Sequence, residues 1–468
     1  MNAARLRPGA AEGPTFEAAL GPLAQDAGGL YARSVAAELE QKVEGLVDSF
    51  FRHEAGRLTA TLIRRFGGDR VAIIEDAVQA ALQTALVSWS RRGIPDNPSA
   101  WLTRAANNQV IDQLRRDGSA SRAMDSASAS EPPLAPPPAA AFAGEIEDPE
   151  LNMLFVCCDD QLPPKTQLVL SLKLLCGFNT REIAARLFLS DANVQKVLSR
   201  GRNRLRELWT QPEGVELPEP SRAQLGARLA AVQRVIYLLF NEGYSSLRER
   251  EVIRRDLCYE ALRLAELLVS HPLGDQAESW ALLALLHFHM ARLDGRTDES
   301  GALLSLEAQD RSRWDGHQIQ RGFQCLLRAG KANVTLRYHA EAAVLAEHCI
   351  APSYERTNWP EIVELYAALE RIEPSPWHTL NRAIALAEWQ GPEAGLALLE
   401  ELTPPTWLSG YYLWDAAVGE LNRRARRFER AERHLRRALA RVPTAAERCI
   451  YEKRLALCLA GEHRPSSR

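Results

Sequence analysis

Apolar residues along this chain recur at the three- and four-residue spacing of helices, and no stretch shows the convincing alternation of a strand. Leu58 and Leu62 belong to one such series in residues 34–116. The same spacing returns in residues 149–209 and continues from residue 222 to about residue 461. Because this period is that of amphipathic helices, the pattern predicts an all-α protein.

Two breaks in the apolar pattern divide the chain. Residues 117–148 are rich in Ser, Ala and Pro and cannot bury a core, and the break Gln211–Pro220 contains three prolines. Such stretches are typical of linkers. The predicted order is a flexible tail (1–33), a small helical domain (34–116), a flexible linker (117–148), a second small helical domain (149–209), a short linker (210–221) and a large helical domain (222–468).

The large C-terminal domain contains a pattern of helix pairs. Residues 421–439 have the small and bulky spacing of a tetratricopeptide hairpin, and residues 386–399 repeat it more weakly about 34 residues earlier. The spacing favours a tetratricopeptide-like domain, and an irregular helical domain stays as the alternative.

A helix-turn-helix pattern occupies Phe178–Arg206. Asn179 is a predicted helix cap, and Glu182 stands where it can reach back to the cap amide. Phe188 and Leu189 fill a tight turn, and Ser190 is the predicted cap of a second, basic helix.

The second helix carries a polar face suited to DNA. Asn and Gln can read adenine, Arg can read guanine, and Ser and Lys can bind phosphates. The sequence therefore predicts major-groove binding; the alternative is an amphipathic helix pair with a solvated basic face. The candidate DNA contacts are Ser190, Asn193, Gln195, Lys196, Ser199, Arg200, Arg202 and Arg204.

Composition adds little to this picture. The formal net charge of −3 neither supports nor excludes nucleic acid, because local charge decides binding. We find no apolar run of membrane-spanning length and no signal-peptide pattern, so a cytoplasmic protein without membrane contact is expected.

The sequence offers no obvious site for catalysis, metal or cofactor. The eight cysteines are scattered without a C-x-x-C pair and are expected to be reduced core thiols. The charged segment Glu307–Asp315 could supply paired carboxylates for acid–base chemistry, but no nucleophile or phosphate loop accompanies it. We expect a structural cluster or a contact surface there, and no enzyme.

The chain resembles a known family in three places. "TREIAARLFLSDANVQKVLSRGRNRLRE" resembles sigma region four, while "GGDRVAIIEDAVQAALQTALVSW" and "NPSAWLTRAANNQVIDQLRR" resemble sigma region two. This order, with a flexible linker between, is similar to that of extracytoplasmic-function (ECF) sigma factors. "RLAAVQRVIYLLFNEGYSS", "LEAQDRSRWD" and "PSPWHTLNRAIALAE" resemble the subgroup with a tetratricopeptide-like C-terminal extension.

The resemblance implies a sigma factor that binds core RNA polymerase and directs promoter-specific initiation. Region two would dock on the β′ clamp helices, region four on the β flap, and the two would recognise the −10 and −35 elements respectively. The implied clamp contacts, which could instead be a solvated polar stripe, are Glu75, Asp76 and Gln79.

The helix after Asn97 is the candidate −10 surface. Capturing a melted strand needs stacking and phosphate contacts, and the resemblance implies that the loop Ser90–Asn97 holds an extruded base. Trp101 could instead be a core anchor. The candidate −10 residues are Asn97, Trp101, Arg104, Asn107, Asn108, Arg115 and Arg116.

The chain departs from the family pattern in two places. Asp159 and Asp160 stand where relatives often have His-Pro, and residues 106–109 replace a usual basic cluster. The short break before the C-terminal domain keeps that domain near region four, so we expect an intramolecular contact that controls the sigma module in cis. The competing hypothesis is a helix-turn-helix regulator that binds duplex DNA without polymerase, which would not need the region-two segment.

Overall fold

The computed structural model describes residues 54–63, 65–67, 70–116, 146, 148–209, 222–246, 253–299, 301–332, 336–402, 404–405, 408, 411–442 and 444–462. Within them, regular structure is helical apart from one isolated bridge between Thr297 and Leu303. The all-α prediction is therefore confirmed. The predicted tail, almost all of the 117–148 linker and the 210–221 linker lie outside the described residues.

The chain divides into two compact units, Met1–Glu54 and Ala55–Arg468. The first lies outside the described residues except for its last position, so the architecture below is that of the second. Its helices form three groups in chain order.

The N-terminal bundle contains the first group of helices: α1 (54–63), α2 (Val71–Arg92) and α3 (Pro98–Arg116). Helix α3 begins at Pro98 because the Asn97 side chain accepts a hydrogen bond from the Ala100 amide at 3.0 Å. Helices α2 and α3 pack together, and α3 contributes a buried stripe at helical spacing: Leu102, Ala106, Val110 and Leu114.

Helix α2 corrects one expectation from the sequence. Its segment Val71–Trp89 is long and apolar enough, by length and composition alone, to cross a membrane. The expectation that no apolar run reaches that length was therefore wrong. The finding is weak evidence for a membrane, because core helices pass the same test, and Ile74 and Ala81 on α2 are completely buried.

The middle bundle contains the second group: α4 (Pro149–Cys157), α5 (Pro164–Leu174), α6 (Thr180–Arg186) and α7 (Asp191–Trp209). The Asp148 carboxylate caps α4 by accepting from the amides of Glu150 and Leu151. The core of the middle bundle contains Leu154, Leu170, Ile183, Val194 and Leu198 from the four helices and Phe178 from the connection between α5 and α6.

The C-terminal domain contains the third group: α8 (Arg222–Tyr244), α9 (Arg255–Ser270), α10 (Ala277–Ala291), α11 (Gly316–Ala329), α12 (Arg337–Ile350), α13 (Trp359–Ile372), α14 (Pro376–Gln390), α15 (Pro392–Glu400), α16 (Tyr412–Arg424), α17 (Phe428–Leu439) and α18 (Ala445–Glu462). Consecutive helices pack in pairs, including α16 with α17 and α14 with α15. This is the tetratricopeptide-like arrangement that the sequence pattern favoured.

Gly243 lies within the last turn of α8, where a glycine commonly stops a helix by adopting a positive φ. In the structure it has no positive φ. A Cβ at this position would lie 2.7 Å from the Cys258 amide nitrogen and 2.8 Å from the Arg254 carbonyl oxygen. Glycine is therefore needed because α9 approaches closely, which is a tertiary reason.

Gly201, in the middle of α7, supports a stability prediction. A Cβ there would lie 2.7 Å from Thr166 Cγ2 and 3.0 Å from Leu170 Cδ1. We expect Gly201→Ala to destabilise the protein, because overpacking costs about 1–3 kcal/mol and the gain in helix propensity offsets at most about 1 kcal/mol. Urea unfolding measures the change.

Gly226 on α8 provides the control, since a Cβ there would meet no atom within 4 Å. Gly226→Ala should leave stability unchanged or raise it by up to about 1 kcal/mol. Equal unfolding midpoints for wild type and Gly201→Ala would contradict the tight α5–α7 contact.

Candidate nucleic-acid interface

The turn between α6 and α7 has the geometry predicted from the sequence. The Asn179 amide donates to Glu182 Oε2 at 2.7 Å, and the Glu182 amide donates to Asn179 Oδ1 at 2.9 Å. This reciprocal pair is a capping box. Ser190 Oγ accepts from the Asn193 amide at 3.3 Å, and Phe188 adopts a left-handed φ of 53° at the reversal.

Helix α7 separates a buried side from an exposed one. Val194, Leu198 and Leu205 are buried, and Gly201 lies against α5. The exposed candidates for base and phosphate contact are Ser190, Gln195, Lys196, Ser199, Arg200 and Arg204, while Asn193 is half-buried. Because the exposed set combines one carboxamide, two hydroxyls and three cations on the helix and its cap, it can contact base edges and phosphates in a major groove.

Arg202 lies away from that exposed set and contacts the N-terminal bundle. Its guanidinium donates to Glu75 Oε1 at 2.7 Å, and its Nε lies 2.7 Å from Glu75 Oε2. Only 28% of the Arg202 side chain and 12% of the Glu75 side chain are exposed. One candidate DNA contact and one candidate polymerase contact are thus bound to each other.

Arg204 makes its contacts within the middle bundle. It donates to Glu207 at 2.9 Å and to Gln161 Oε1 at 3.3 Å. Among the described residues, Arg204 has no hydrogen bond or ion pair with the N-terminal bundle. Arg202 and Arg204 therefore differ in what binds them, although both belong to the same basic helix.

The other two candidate polymerase contacts, Asp76 and Gln79, are exposed on α2. Gln79 lies four positions after Glu75 and three after Asp76, so it neighbours both on the helix surface. A second close approach joins the two bundles, because a Cβ at Gly56 would collide with the Leu175 carbonyl.

The candidate −10 residues of α3 divide by exposure. Arg104, Asn108, Arg115 and Arg116 are exposed, and Asp112 contacts both Arg115 and Arg116. Asn107 is half-buried, and its Oδ1 is buried without a hydrogen-bond partner in the described part of the chain.

Trp101 is half-buried and meets Trp89 edge-on, with ring centroids 5.6 Å apart. This contact fits the alternative that Trp101 anchors the packing of α3 on α2. The predicted loop Ser90–Asn97 is shorter than expected, because α2 continues through Arg92 and only residues 93–97 connect the helices.

A buried ionic network joins the helix-turn-helix to the C-terminal domain. Arg186, at the end of α6, pairs with Glu242 and donates to the Ser245 carbonyl at 2.8 Å. Arg254 donates to the capping residue Glu182 at 3.4 Å and lies 3.8 Å from Glu242. The Glu242 and Arg254 side chains are only 1% and 2% exposed.

A second set of ion pairs ties α4 to the C-terminal domain. Arg263 of α9 contacts both Asp148, at 2.9 Å, and Glu150. Burial, with repulsion from Glu260 next, raises the pKa of Glu150 to about 8. Arg228 of α8 pairs with Asp159 at 2.5 Å. Asp159, where the chain departs from the family pattern, thus binds the C-terminal domain.

The turn residue Phe188 also contacts the C-terminal domain. Its ring meets Tyr411 edge-on at 5.6 Å, and Tyr411 in turn meets Trp377 at 5.3 Å. Arg186 and Phe188 were absent from the candidate residues because their partners lie 56 or more positions away. The sequence signal that could have identified Phe188 was a large aromatic side chain in the predicted turn between two helices.

The charged segment 307–315 is built into the C-terminal domain. Asp310 and Asp315 cap the turns that follow them. Arg311 donates to the carbonyls of His348 and Ala351. Trp314 is buried, and the guanidinium carbons of Arg311 and Arg292 lie 4.9 and 5.3 Å from its ring centroid. These contacts fit the structural cluster that we expected.

Comparison with known proteins identifies three segments. Residues 51–120 match the family model for sigma-70 region 2, and residues 153–205 match that for sigma-70 region 4. Residues 228–330 match a family of unknown function, DUF6596. Helices α2–α3 and α4–α7 thus fall largely within the two sigma-70 matches.

A relative along most of the chain is the uncharacterized protein R00370 of Rhizobium meliloti (strain 1021). It is 35% identical over 380 residues, which cover 80% of this chain and 87% of the relative. No solved structure matches significantly.

The buried network generates a stability prediction. Arg186→Ala should destabilise the protein by about 3–5 kcal/mol, because it leaves the buried Glu242 carboxylate with a weaker set of partners. Urea unfolding of the full chain measures this change.

Arg181→Ala is the control on the same helix, because the Arg181 side chain is 91% exposed and its partner Asp191 is 3.8 Å away. Its effect should stay within about 0.5 kcal/mol. If both variants unfold at the wild-type midpoint, the network does not join the two parts in solution.

Proposed function

This chain belongs to the ECF-like sigma factors with a C-terminal extension, and from that premise we propose that it binds core RNA polymerase and directs promoter-specific transcription initiation. The single observation that carries the proposal is the presence of both sigma-70 regions in one chain, each with an exposed polar surface. A regulator that only binds duplex DNA would need region four alone. Sigma factors are not enzymes, and no catalytic role is proposed.

Polymerase docking is assigned to α2 and the middle bundle. The exposed side chains of Asp76 and Gln79, with the half-buried Glu75, are the proposed contacts for the β′ clamp helices. Region four would dock on the β flap. A protein that works with core polymerase acts in the cytoplasm, which is the location we propose.

Recognition of the −35 element is assigned to α7. Its exposed residues can enter a major groove because the helix presents them away from the bundle core, and α5 and α6 fix its direction. Gln195 and Arg200 are the proposed base-reading residues. Lys196 and Ser199 are suited to phosphates.

Recognition and melting of the −10 element is assigned to α3 and residues 93–97. The exposed Arg104, Arg115 and Arg116 can bind phosphates of a separated strand, and Asn108 can bind a base. Asn107 and Asn97 border the same surface. Trp101 supports the surface by packing on Trp89.

The C-terminal domain is proposed to control the sigma module in cis. It contacts α6 and the turn at Phe188, on a different side from the exposed face of α7, so it supports the helix-turn-helix without covering the proposed reading residues. This arrangement favours a positive role. The Glu75–Arg202 ion pair instead opposes activity, because it holds Glu75, a proposed clamp contact, against region four. This pair must open before polymerase docks.

The first functional test combines docking and initiation. Adding the full chain to core polymerase should yield promoter-specific transcripts, and Asp76→Lys with Gln79→Arg should weaken core binding and lower transcript yield. Both residues are exposed, so the fold should be unaffected. Pull-down with core polymerase and in vitro transcription measure the two effects.

A matched control reverses the same amount of charge elsewhere. Glu361→Lys with Glu364→Gln alters two exposed residues of α13 in the C-terminal domain. It should leave core binding unchanged. Promoter binding without any core-dependent transcript would instead favour a duplex-binding regulator.

Arg200 tests the −35 assignment. If its guanidinium reads guanine through two hydrogen bonds, Arg200→Ala should cost about 1–3 kcal/mol of binding and relax specificity at one base pair. If it binds only phosphate, the loss should be uniform across sequences with a shallower salt dependence.

Fluorescence anisotropy with a −35 duplex and single-base variants separates these cases. Arg433→Ala, an exposed arginine on α17, removes the same charge from the C-terminal domain and should have no sequence-dependent effect. Wild-type affinity and salt dependence for Arg200→Ala would remove this residue from the interface.

Substitution of Arg202 tests whether the Glu75–Arg202 ion pair hinders polymerase docking. Arg202→Ala frees Glu75 without changing region two, so affinity for core polymerase should rise. Partly exposed ion pairs contribute up to about 1 kcal/mol, which corresponds to an increase of at most about fivefold. Titration of core polymerase with labelled protein measures the affinity.

Arg204→Ala is the control, because Arg204 contacts Glu207 and Gln161 within region four. It should leave core affinity at the wild-type value. A decrease in core affinity for Arg202→Ala would show that this side chain helps docking. It would contradict the proposal that the Glu75–Arg202 pair must open before polymerase docks.

A further inference from the structure

The C-terminal domain contains a cavity, open to solvent on one side, that lies outside the proposed DNA and polymerase surfaces. Its volume is about 580 Å³, and its walls come from α12, α13, α14, α16 and α18 together with Tyr354 and residues 305–307. Small-molecule sites in proteins usually have volumes of about 300–1,000 Å³ and mostly apolar walls. The size is therefore suited to a small organic molecule.

Five aromatic side chains line this cavity: Tyr354, Trp359, Tyr366, Trp377 and Tyr451. Trp359 is held at a fixed angle, because its ring meets Tyr354 edge-on at 5.0 Å and His348 edge-on at 5.4 Å. Aromatic faces and edges bind other rings in offset and edge-to-face geometries. The walls therefore favour a ligand that contains a ring.

The charges in the lining largely cancel. Arg424 pairs with Glu388, and Arg423 pairs with Glu420 at 2.6 Å. Arg454 lies 3.8 Å from the same Glu420. Because the guanidinium groups already have carboxylate partners, a charged ligand would have to compete with them. The lining therefore favours an uncharged ligand.

His348 adds to this neutral character. Burial, followed by repulsion from Arg292 and Arg311, lowers the pKa of His348 to about 3, so the ring is uncharged at neutral pH. Asn381 supplies an uncharged polar group to the lining. A ligand with one hydrogen-bonding group could use it.

Helix α14 presents one stripe to the cavity at helical spacing: Trp377, Asn381, Ile384 and Glu388. All four side chains are half-buried. They belong to the segment "PSPWHTLNRAIALAE", which neither DNA binding nor polymerase docking uses. The cavity gives these residues a common role.

An aromatic contact path links the cavity to the helix-turn-helix. Trp377 lines the cavity and meets Tyr411 edge-on at 5.3 Å. Tyr411 meets Phe188, the left-handed turn residue between α6 and α7, at 5.6 Å. A change in the position of Trp377 can therefore reach the turn through two ring contacts.

We propose that this cavity binds an uncharged small molecule that contains an aromatic ring and a hydrogen-bonding group, and that binding is transmitted through Trp377 and Tyr411 to Phe188. Only the regulatory meaning of the second step rests on the proposed function. The binding step is a property of the C-terminal domain.

The binding step is tested on the full chain with N-phenyl-1-naphthylamine, an uncharged aromatic probe whose emission rises in apolar sites. We expect saturable binding to the wild-type protein. Ile384→Arg, which places a long charged side chain in the cavity, should weaken binding by at least about tenfold, which is about 1.4 kcal/mol. Trp377→Ala, which removes part of the wall, should also weaken it.

Trp389→Ala is the matched control, because Trp389 lies on the same helix but is 47% exposed and outside the cavity. It should bind the probe as the wild type does. The anionic analogue 1-anilinonaphthalene-8-sulfonate should bind more weakly to the wild type. Circular dichroism and thermal melting establish that each variant is folded.

Three results would overturn the binding step. They are absence of saturable binding by the wild type, wild-type affinity in a folded Ile384→Arg or Trp377→Ala variant, and equal affinity for the anionic analogue. If Ile384→Arg does not fold, Trp377→Ala decides the question.

The transmission step is tested by hydrogen exchange of the amides in residues 180–194 with and without the uncharged probe. Binding should change their exchange in the wild type. Tyr411→Leu should keep probe affinity and abolish that change. Unaltered exchange in the wild type, or an unreduced response in Tyr411→Leu, would overturn the coupling. Neither assay needs polymerase or promoter DNA, so these failures are distinct from a failure of the proposed function.

Discussion

The buried ion pair between Arg186 and Glu242 is the contact on which the arrangement of this protein depends. It joins the last residue of α6 to the last turn of α8, and Arg254 extends it to the α6 capping residue Glu182. Buried charges are costly unless they are paired with good geometry, so α6 and α8 must stay in register. The helix-turn-helix is thereby built into the C-terminal domain and is not merely tethered to it.

This attachment leaves two other sides of the helix-turn-helix for other uses. The N-terminal bundle contacts one side through Glu75 and Arg202, while Gln195, Lys196 and Arg200 stay exposed on another. The N-terminal bundle is held there by this ion pair and by a second close approach between Gly56 and the Leu175 carbonyl. The Arg202 and Glu75 side chains are 28% and 12% exposed, so their pair is less buried than that of Arg254 and Glu242.

The C-terminal domain both holds the helix-turn-helix in place and contains the cavity that we propose binds a ligand. Its ionic network holds α4 and α6, and its aromatic path from Trp377 through Tyr411 ends at the turn residue Phe188. Packed rings transmit displacement because a close-packed interior has little free volume. By this path a displacement of Trp377 can reach the turn between α6 and α7.

The sequence by itself determined the helical class, the helix-turn-helix and its caps, because a period of apolar residues and a capping box at Asn179 and Glu182 are local properties. It also separated the exposed from the buried side of α7. Tertiary structure decided that Arg202 binds Glu75, that Gly243 serves close packing and that Asp159 pairs with Arg228. These contacts join residues 69 to 127 positions apart or depend on how closely two helices approach. No local pattern carries that information, because charge and exposure become specific only when distant helices are brought together.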